Sequence, residues 1–235
     1  MLALNQLTKK IRNQSVLDGI SCHIDDGTIA GVLGPNQSGK SVLLKVLAGF
    51  MHKTSGTVML DGKVLSGVLQ KTCAFIPPEN ALPLHLTLSE MLRWFPIMYP
   101  DLDKELASEY CQHYFQDFHR TLSAYSHGDL AKLNLILGCC RNVRLYLLDE
   151  PLQDIDETSR SILVSLISTC PDKSAIFLIS SHDPNEYEKI LDQVLFLKLG
   201  KLVTDEKPEL LRSRLHQSIT EYYRKVMNHD EYPSV

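Results

Sequence analysis

The sequence has no long apolar run. Nothing in its 235 residues approaches the roughly 20 consecutive apolar residues that a membrane helix needs, so no spanning segment is expected. It has no C-x-x-C pair. Its cysteines, Cys22, Cys73, Cys111, Cys139, Cys140 and Cys170, show no regular spacing, which argues for reduced thiols serving as small hydrophobes over a zinc site or a disulfide framework. It has no excess of positive charge. The 24 Lys+Arg face 28 Asp+Glu, a formal net charge of −4, so there is no electrostatic reason to expect nucleic acid as a partner. The first ten residues, MLALNQLTKK, set Asn, Gln and Thr among the leucines without a continuous apolar core; no signal peptide is expected, and the cytosol is the expected compartment. Internal repeats and low-complexity tracts are missing too. What is present, 44% hydrophobic and 22% charged residues, suits one large α/β domain or two small ones.

The texture changes along the chain. Leu2 and Leu4 alternate with polar residues, Ile29 to Leu33 is a buried-strand run, and Thr57 to Leu60 closes on Asp61-Gly62, a hairpin signal. After Pro77-Pro78, Thr87-Leu88-Ser89-Glu90 is a capping box, with Pro96 and Pro100 punctuating the chain beyond it. Residues 84–140 read as a helical insert carried by an α/β core of residues 1–83 and 141–204. In the core, Leu145 to Leu148 and Ala175 to Ile179 read as buried strands around a helix with Ile162, Leu163, Leu166 and Ile167 on one face. Asp183-Pro184 predicts another helix start, and Val194 to Leu197 with Leu202-Val203 predicts a hairpin through Gly200. Pro208 opens an amphipathic helix with Leu211, Leu215, Ile219 and Tyr223 at spacing four, followed by a tail to residue 235.

The chemistry begins at Gly34-Pro35-Asn36-Gln37-Ser38-Gly39-Lys40-Ser41, which matches G-x-x-x-x-G-K-[ST]. A buried strand enters it and a helix from Ser41 to Ala48, stopped by Gly49, leaves it. Backbone N–H groups and the positive end of that helix then converge on phosphate oxygens, Val42 included in the first turn. Lys40 supplies a cation for the β- and γ-phosphates, and the Ser41 hydroxyl a magnesium ligand. Glycine is more usual where Gln37 stands, and only glycine takes positive φ freely. Asp149 and Glu150 end the Leu145–Leu148 strand: Asp149 falls near the magnesium, and Glu150 falls where it can orient or deprotonate the attacking water.

From about Leu4 to Val203 the chain resembles the ATPase domain of ABC transporters. The resemblance rests on Gly34 to Ser41, Tyr125-Ser126-His127-Gly128-Asp129, Leu147-Leu148-Asp149-Glu150-Pro151, Asp156, and Ile179-Ser180-Ser181-His182-Asp183. It implies a P-loop NTPase core, mainly parallel sheet flanked by helices, with an antiparallel β subdomain and a helical subdomain. It implies ATP and Mg2+ as cofactors, and His182 as the switch histidine at the γ-phosphate. Asp156 would sit in the loop that communicates between the two sites of a dimer. Ser126 and Gly128 match the family's Leu-Ser-Gly-Gly-Gln signature, which faces the γ-phosphate held by a second subunit; His127 and Asp129 replace its Gly and Gln. The family's adenine-stacking aromatic falls at Ile11, which keeps hydrophobic contact only. The family's glutamine falls at Pro78, leaving Glu79 or Asn80 as substitutes.

The resemblance further implies a homodimer or heterodimer with a second ATPase subunit and a separate membrane permease, to which the chain attaches peripherally at the inner face of the membrane. Tyr125-Ser126-x-Gly128 and Tyr99-Pro100-Asp101-Leu102-Asp103 are spelled as in ATPases of drug, antibiotic-peptide and polysaccharide exporters. Two alternatives stay open at this level: a degenerate ATP-binding subunit with little hydrolysis, and a soluble ABC-type ATPase outside transport.

Overall fold

A computed structural model describes residues 1–65, 72–152 and 157–228. The chain opens on strands β1 (Leu2–Ile11) and β2 (Gln14–Ile24), joined by a two-residue turn in which Arg12 and Asn13 are both left-handed (φ 48° and 65°). β3 (Ile29–Leu33) leads through the phosphate-loop segment into α1 (Lys40–Leu47), and β4 (Ser55–Leu60) and β5 (Lys63–Val64) form the hairpin signalled by Asp61-Gly62, whose φ values are 51° and 75°. β6 (Cys73–Ile76) precedes three helices, α2 (Leu88–Met98), α3 (Lys104–Tyr114) and α4 (His127–Cys139). The strand–helix alternation then resumes with β7 (Leu145–Asp149), α5 (Glu157–Thr169) and β8 (Ile176–Ser181), followed by the hairpin β9 (Gln193–Lys198) and β10 (Lys201–Glu206). The last helices are α6 (Pro208–Leu215) and α7 (Ile219–Asn228).

The described strands form two sheets. One is antiparallel, in the order β2-β1-β4-β5; the other runs β10-β9-β3-β8-β7-β6 and is parallel except at the β9–β10 edge. Alternation across the second sheet builds two cores. Leu145 and Leu147 of β7 pack with α1 and the antiparallel sheet, while Tyr146 and Leu148 face the opposite way, into the helices. All six cysteines are buried and free. Burial pushes the Cys111 thiol up to about 12, so it packs as a small hydrophobe. Arg144 ties the β4–β5 turn to the end of α5: its guanidinium reaches Asp61 at 3.0 Å and Asp172 at 3.3 Å, and its hydrogen bonds hold the Asp61 carboxyl well below the usual range. Among the described residues, no helix is long and apolar enough to cross a membrane.

Three expectations give way to tertiary demands. Pro96 does not end α2, which runs on to Met98; the proline lacks the N–H that would reach the carbonyl four residues back, and the helix continues past it. Asp183-Pro184 starts a single 3-10 turn, Pro184–Glu186, because the chain must re-enter the sheet at Gln193 and bury Tyr187 on the way. The amphipathic segment from Pro208 is two helices. His216 is left-handed (φ 51°), and a second capping box restarts the helix: Ser218 N–H donates to Glu221 Oε2 (2.8 Å) and Glu221 N–H to Ser218 Oγ (3.1 Å). Ile219 therefore begins a helix, and Leu215 is left 45% exposed.

Candidate active site

The register of the parallel sheet assembles the site. Leu33 pairs with Ser181, and Asp149 pairs with Ser180, so β3, β8 and β7 end level. The loop after Leu33, the acids ending β7 and His182 after β8 thus meet at the carboxyl ends of three adjacent strands, where open α/β sheets bind ligands. The loop and Glu150 border an open cleft of about 650 Å³, lined also by Pro78 and by Gln14, Ser15, Val16, Leu199 and Gly200; Asp149 and His182 stand behind its lining, against Ser41 and Glu150.

The loop is held by close packing. A Cβ on Gly34 would lie 2.3 Å from the Leu197 carbonyl, and Gly39 takes φ 107° as it caps α1, so both positions require glycine. The Pro35 carbonyl accepts from Ser38 N–H (3.2 Å), folding Gly34, Pro35 and the buried Ser38 behind the cleft wall. The first N–H groups of α1 have no partners within the helix and face the cleft with the positive end of its dipole. Gln37 keeps the left-handed conformation (φ 66°) that its position demands. For a side chain this costs about 1–2 kcal/mol. Gln37→Gly is therefore expected to raise Tm by roughly 1–3 °C, the greater flexibility of unfolded glycine offsetting part of the relief. Calorimetry checks this; a fall in Tm shows that the Gln37 side chain stabilises the loop.

Lys40 is 5% exposed, and its ammonium donates to the Gly34 and Pro35 carbonyls (2.8 and 3.2 Å) while lying 3.2 Å from Glu150 Oε1. The other Glu150 oxygen faces His182: Oε2 lies 2.9 Å from His182 Nδ1 and 3.3 Å from its backbone nitrogen. Glu150 is thus clamped between a cation and an imidazole, on a left-handed backbone (φ 49°) that turns it away from the strand. Asp149 is fully buried. Its Oδ1 accepts from Ser41 Oγ (2.9 Å) and Ser180 Oγ (2.7 Å), and its Oδ2 has no hydrogen-bond partner among the described residues. A carboxylate oxygen left bare beside a hydroxyl is a hard, all-oxygen donor set, which fits magnesium.

Ser180 carries no role of its own in the sequence pattern, yet it joins the two acids. Its hydroxyl donates to Asp149 and accepts Glu150 N–H at 2.9 Å. No local signal marks it, since its role depends on strand pairing. Ile11 lies outside the cleft lining. The tight turn at Arg12 and Asn13 sets Ile11 opposite Gln14 in the hairpin, and β2 supplies the wall through Gln14, Ser15 and Val16. Pro78 lines the cleft without a polar side-chain atom. Asn80 faces α4 instead, accepting from Leu82 N–H (3.0 Å) and Asn134 Nδ2 (3.4 Å). Ser126 caps α4, with Asp129 N–H donating to its Oγ at 3.1 Å, and Lys132 stands 3.8 Å from the Asp129 carboxylate. Gly128 lies in the open first turn of α4. Asp156 lies outside the described residues.

A phosphate-binding loop facing two acids across an α/β sheet defines a P-loop nucleoside triphosphatase, and comparison with known proteins gives its family. The ABC transporter family matches residues 17–153, more than half of the chain, and the chain belongs to it. As a member it is an ATPase that uses ATP with Mg2+. Its relatives include the ABC transporter ATP-binding protein YtrB of Bacillus subtilis, 28% identical over 86% of this chain and 70% of the relative. The phosphonates import ATP-binding protein PhnC of Wolinella succinogenes is 25% identical over 95% of this chain and 88% of its own length. The lipopolysaccharide export system ATP-binding protein LptB of Haemophilus influenzae is 23% identical over 89% and 91%. Among solved structures, an ATP-binding subunit of an ABC transporter superimposes with a TM-score of 0.86 at 22% identity, covering 96% of this chain and 99% of that one. A dimeric, post-hydrolysis ATP-binding cassette bound to ADP and Pi superimposes with a TM-score of 0.75 at 19% identity, covering 88% and 98%. These likenesses establish the same fold.

Proposed function

We propose that this chain powers transport by a separate membrane permease, that two ATPase copies close around ATP to do so, and that the cargo is exported. The observation that carries the reading is one chain of contacts at a cleft lined by Lys40, Ser41 and Glu150: Ser41 with Asp149, Lys40 with Glu150, and Glu150 with His182. The amides of Gly34 to Val42 cradle the triphosphate and Lys40 neutralises its outer phosphates. Ser41 and Asp149 would hold magnesium, which would supply positive charge to neutralise the triphosphate. Glu150 accepts the proton of the attacking water, and His182 holds that carboxylate and reaches the γ-phosphate. As the water oxygen bonds to phosphorus, the bond to the bridging oxygen breaks, releasing ADP and phosphate. Gln14 and Val16, in place of Ile11, border the base.

Gly128 supports dimer closure. A Cβ there would meet nothing within 4 Å, and its φ is not positive, so the single chain gives no reason for a glycine in the first turn of α4. Close approach of a second copy's phosphate gives one, with Ser126 at the same helix end. Docking on a permease is supported by Trp94, Ile97 and Met98 of α2, which are 46%, 65% and 56% exposed. The chain then sits on the cytoplasmic side, attached through that partner. Relatives named for import and for export both occur, so the outward direction rests on the spelling of residues 99–103 and 125–128. The test is co-purification with a membrane protein, followed by reconstitution in vesicles with ATP on the side of this subunit. ATP-dependent movement of cargo away from the subunit is expected. Movement toward it overturns export, and the absence of any membrane partner overturns transport.

A further inference from the structure

The C-terminal helix α7 packs against the turn that comes after His182. Thr220, 7% exposed, places its hydroxyl 2.9 Å from Asn185 Oδ1 and 3.2 Å from Glu188 Oε2, and Ile219 N–H donates to Glu188 Oε1 (3.1 Å). Asn185 in turn donates from its backbone N–H (2.9 Å) and its side-chain amide (2.6 Å) to Asp183 Oδ1. Asp183 N–H donates to Ser181 Oγ (3.0 Å), which also lies 2.9 Å from Glu186 Oε2. Every residue from Ser181 to Glu186 except His182 and Pro184 is thereby tied by its side chain, and the ties run outward to α7. Tyr222 and Tyr223 of the same helix pack on Phe196 of β9. Burial pushes the Tyr223 phenol up to about 12, with the charges of Glu150 and Asp183 adding to the shift.

We propose that Thr220 is a positioning residue for the ATPase reaction: through Asn185 and Asp183 it holds the turn after β8 so that His182 stays against Glu150. The strap lies wholly outside residues 17–153, the part of the chain matched to the family. The ties are short and serial, and His182 itself is 43% exposed. A shift of the turn by about an ångström separates its Nδ1 from Glu150 Oε2 and costs turnover while leaving the loop amides, Lys40 and Ser41 in place.

The proposal rests on the assignment of His182, and the experiment separates the two. His182→Ala measures the histidine itself. Thr220→Val keeps the branched shape and removes the donor, Thr220→Ser keeps the donor, and Asn185→Ala removes the acceptor at an exposed position where folding is not at risk. Thr220→Val and Asn185→Ala are each expected to lower kcat roughly tenfold with KM within about twofold. The double variant is expected to be no slower than either single one, because both break the same chain of bonds. Thr220→Ser restores kcat, and the His182 imidazole resonance, assigned by its loss in His182→Ala, shifts in Thr220→Val. If Thr220→Val does not fold, Asn185→Ala with the resonance measurement carries the test. Wild-type kcat in Asn185→Ala, additive losses in the double variant, or failure of serine to restore turnover overturns the strap. Wild-type turnover in His182→Ala overturns the assignment beneath it.

Discussion

Glu150→Gln is expected to lower ATP turnover by about 10²–10⁴-fold while ATP still binds. The substitution keeps the shape of the side chain and the φ of 49° at that position, and removes both the charge and the proton acceptor. The groups that hold the triphosphate are elsewhere: the loop amides, Lys40, and Ser41 with Asp149. Loss of a carboxylate 3.2 Å from Lys40 also removes a competitor for that ammonium, so affinity is expected to hold or rise, and a nucleotide-bridged dimer to accumulate. Steady-state hydrolysis, equilibrium binding and size-exclusion chromatography with Mg-ATP check the three parts. Hydrolysis at the wild-type rate removes Glu150 from the chemistry, and loss of binding shows that its charge supports the loop instead.

Lys40→Ala is expected to do the opposite, weakening ATP binding roughly 10–150-fold, which corresponds to the about 1.5–3 kcal/mol of a hydrogen bond to a charged group. Its position sharpens the expectation. The ammonium is nearly buried and gathered by the Gly34 and Pro35 carbonyls, so its charge is fixed at the cleft. Arginine is not expected to rescue, since its longer planar head does not fit a site built for a compact charge. Titration calorimetry reads the affinity, and a melting curve separates it from the stability lost when the two carbonyls and Glu150 give up their partner. Unchanged affinity in a folded variant contradicts the role given to the loop.

Much of the fold is legible in the residues because the signals are local. Asp61-Gly62 forces a hairpin through two left-handed residues, and Thr87 with Glu90 closes the capping box expected of it, Glu90 N–H donating to Thr87 Oγ1 (3.2 Å) and Thr87 N–H to Glu90 Oε2 (2.8 Å). The same S-x-x-E signal stands at Ser218 and Glu221. It is masked by the four-residue spacing of Leu211, Leu215, Ile219 and Tyr223, a pattern that runs unbroken across two helices. Pro96 misleads in the other direction, since α2 continues two residues past it. Asp183-Pro184 carries a sound start signal, but a start signal does not set length; the return to β9 does.

Local sequence settles which groups are available: a loop of small residues before a helix, one ammonium, one hydroxyl, two adjoining acids after an apolar strand, and a histidine after another. Each depends on neighbours a few residues apart, where backbone geometry alone controls what a side chain can do. Which of them touch is settled at the level of the folded chain. Ser180 bridges Asp149 and Glu150, Glu150 stands between Lys40 and His182, and Thr220 reaches the turn beyond His182. These contacts are set by strand register and by helices packing on the sheet, between residues from about 30 to more than 100 positions apart. A shift of one residue in pairing would turn each side chain to the other face with no change in the local pattern.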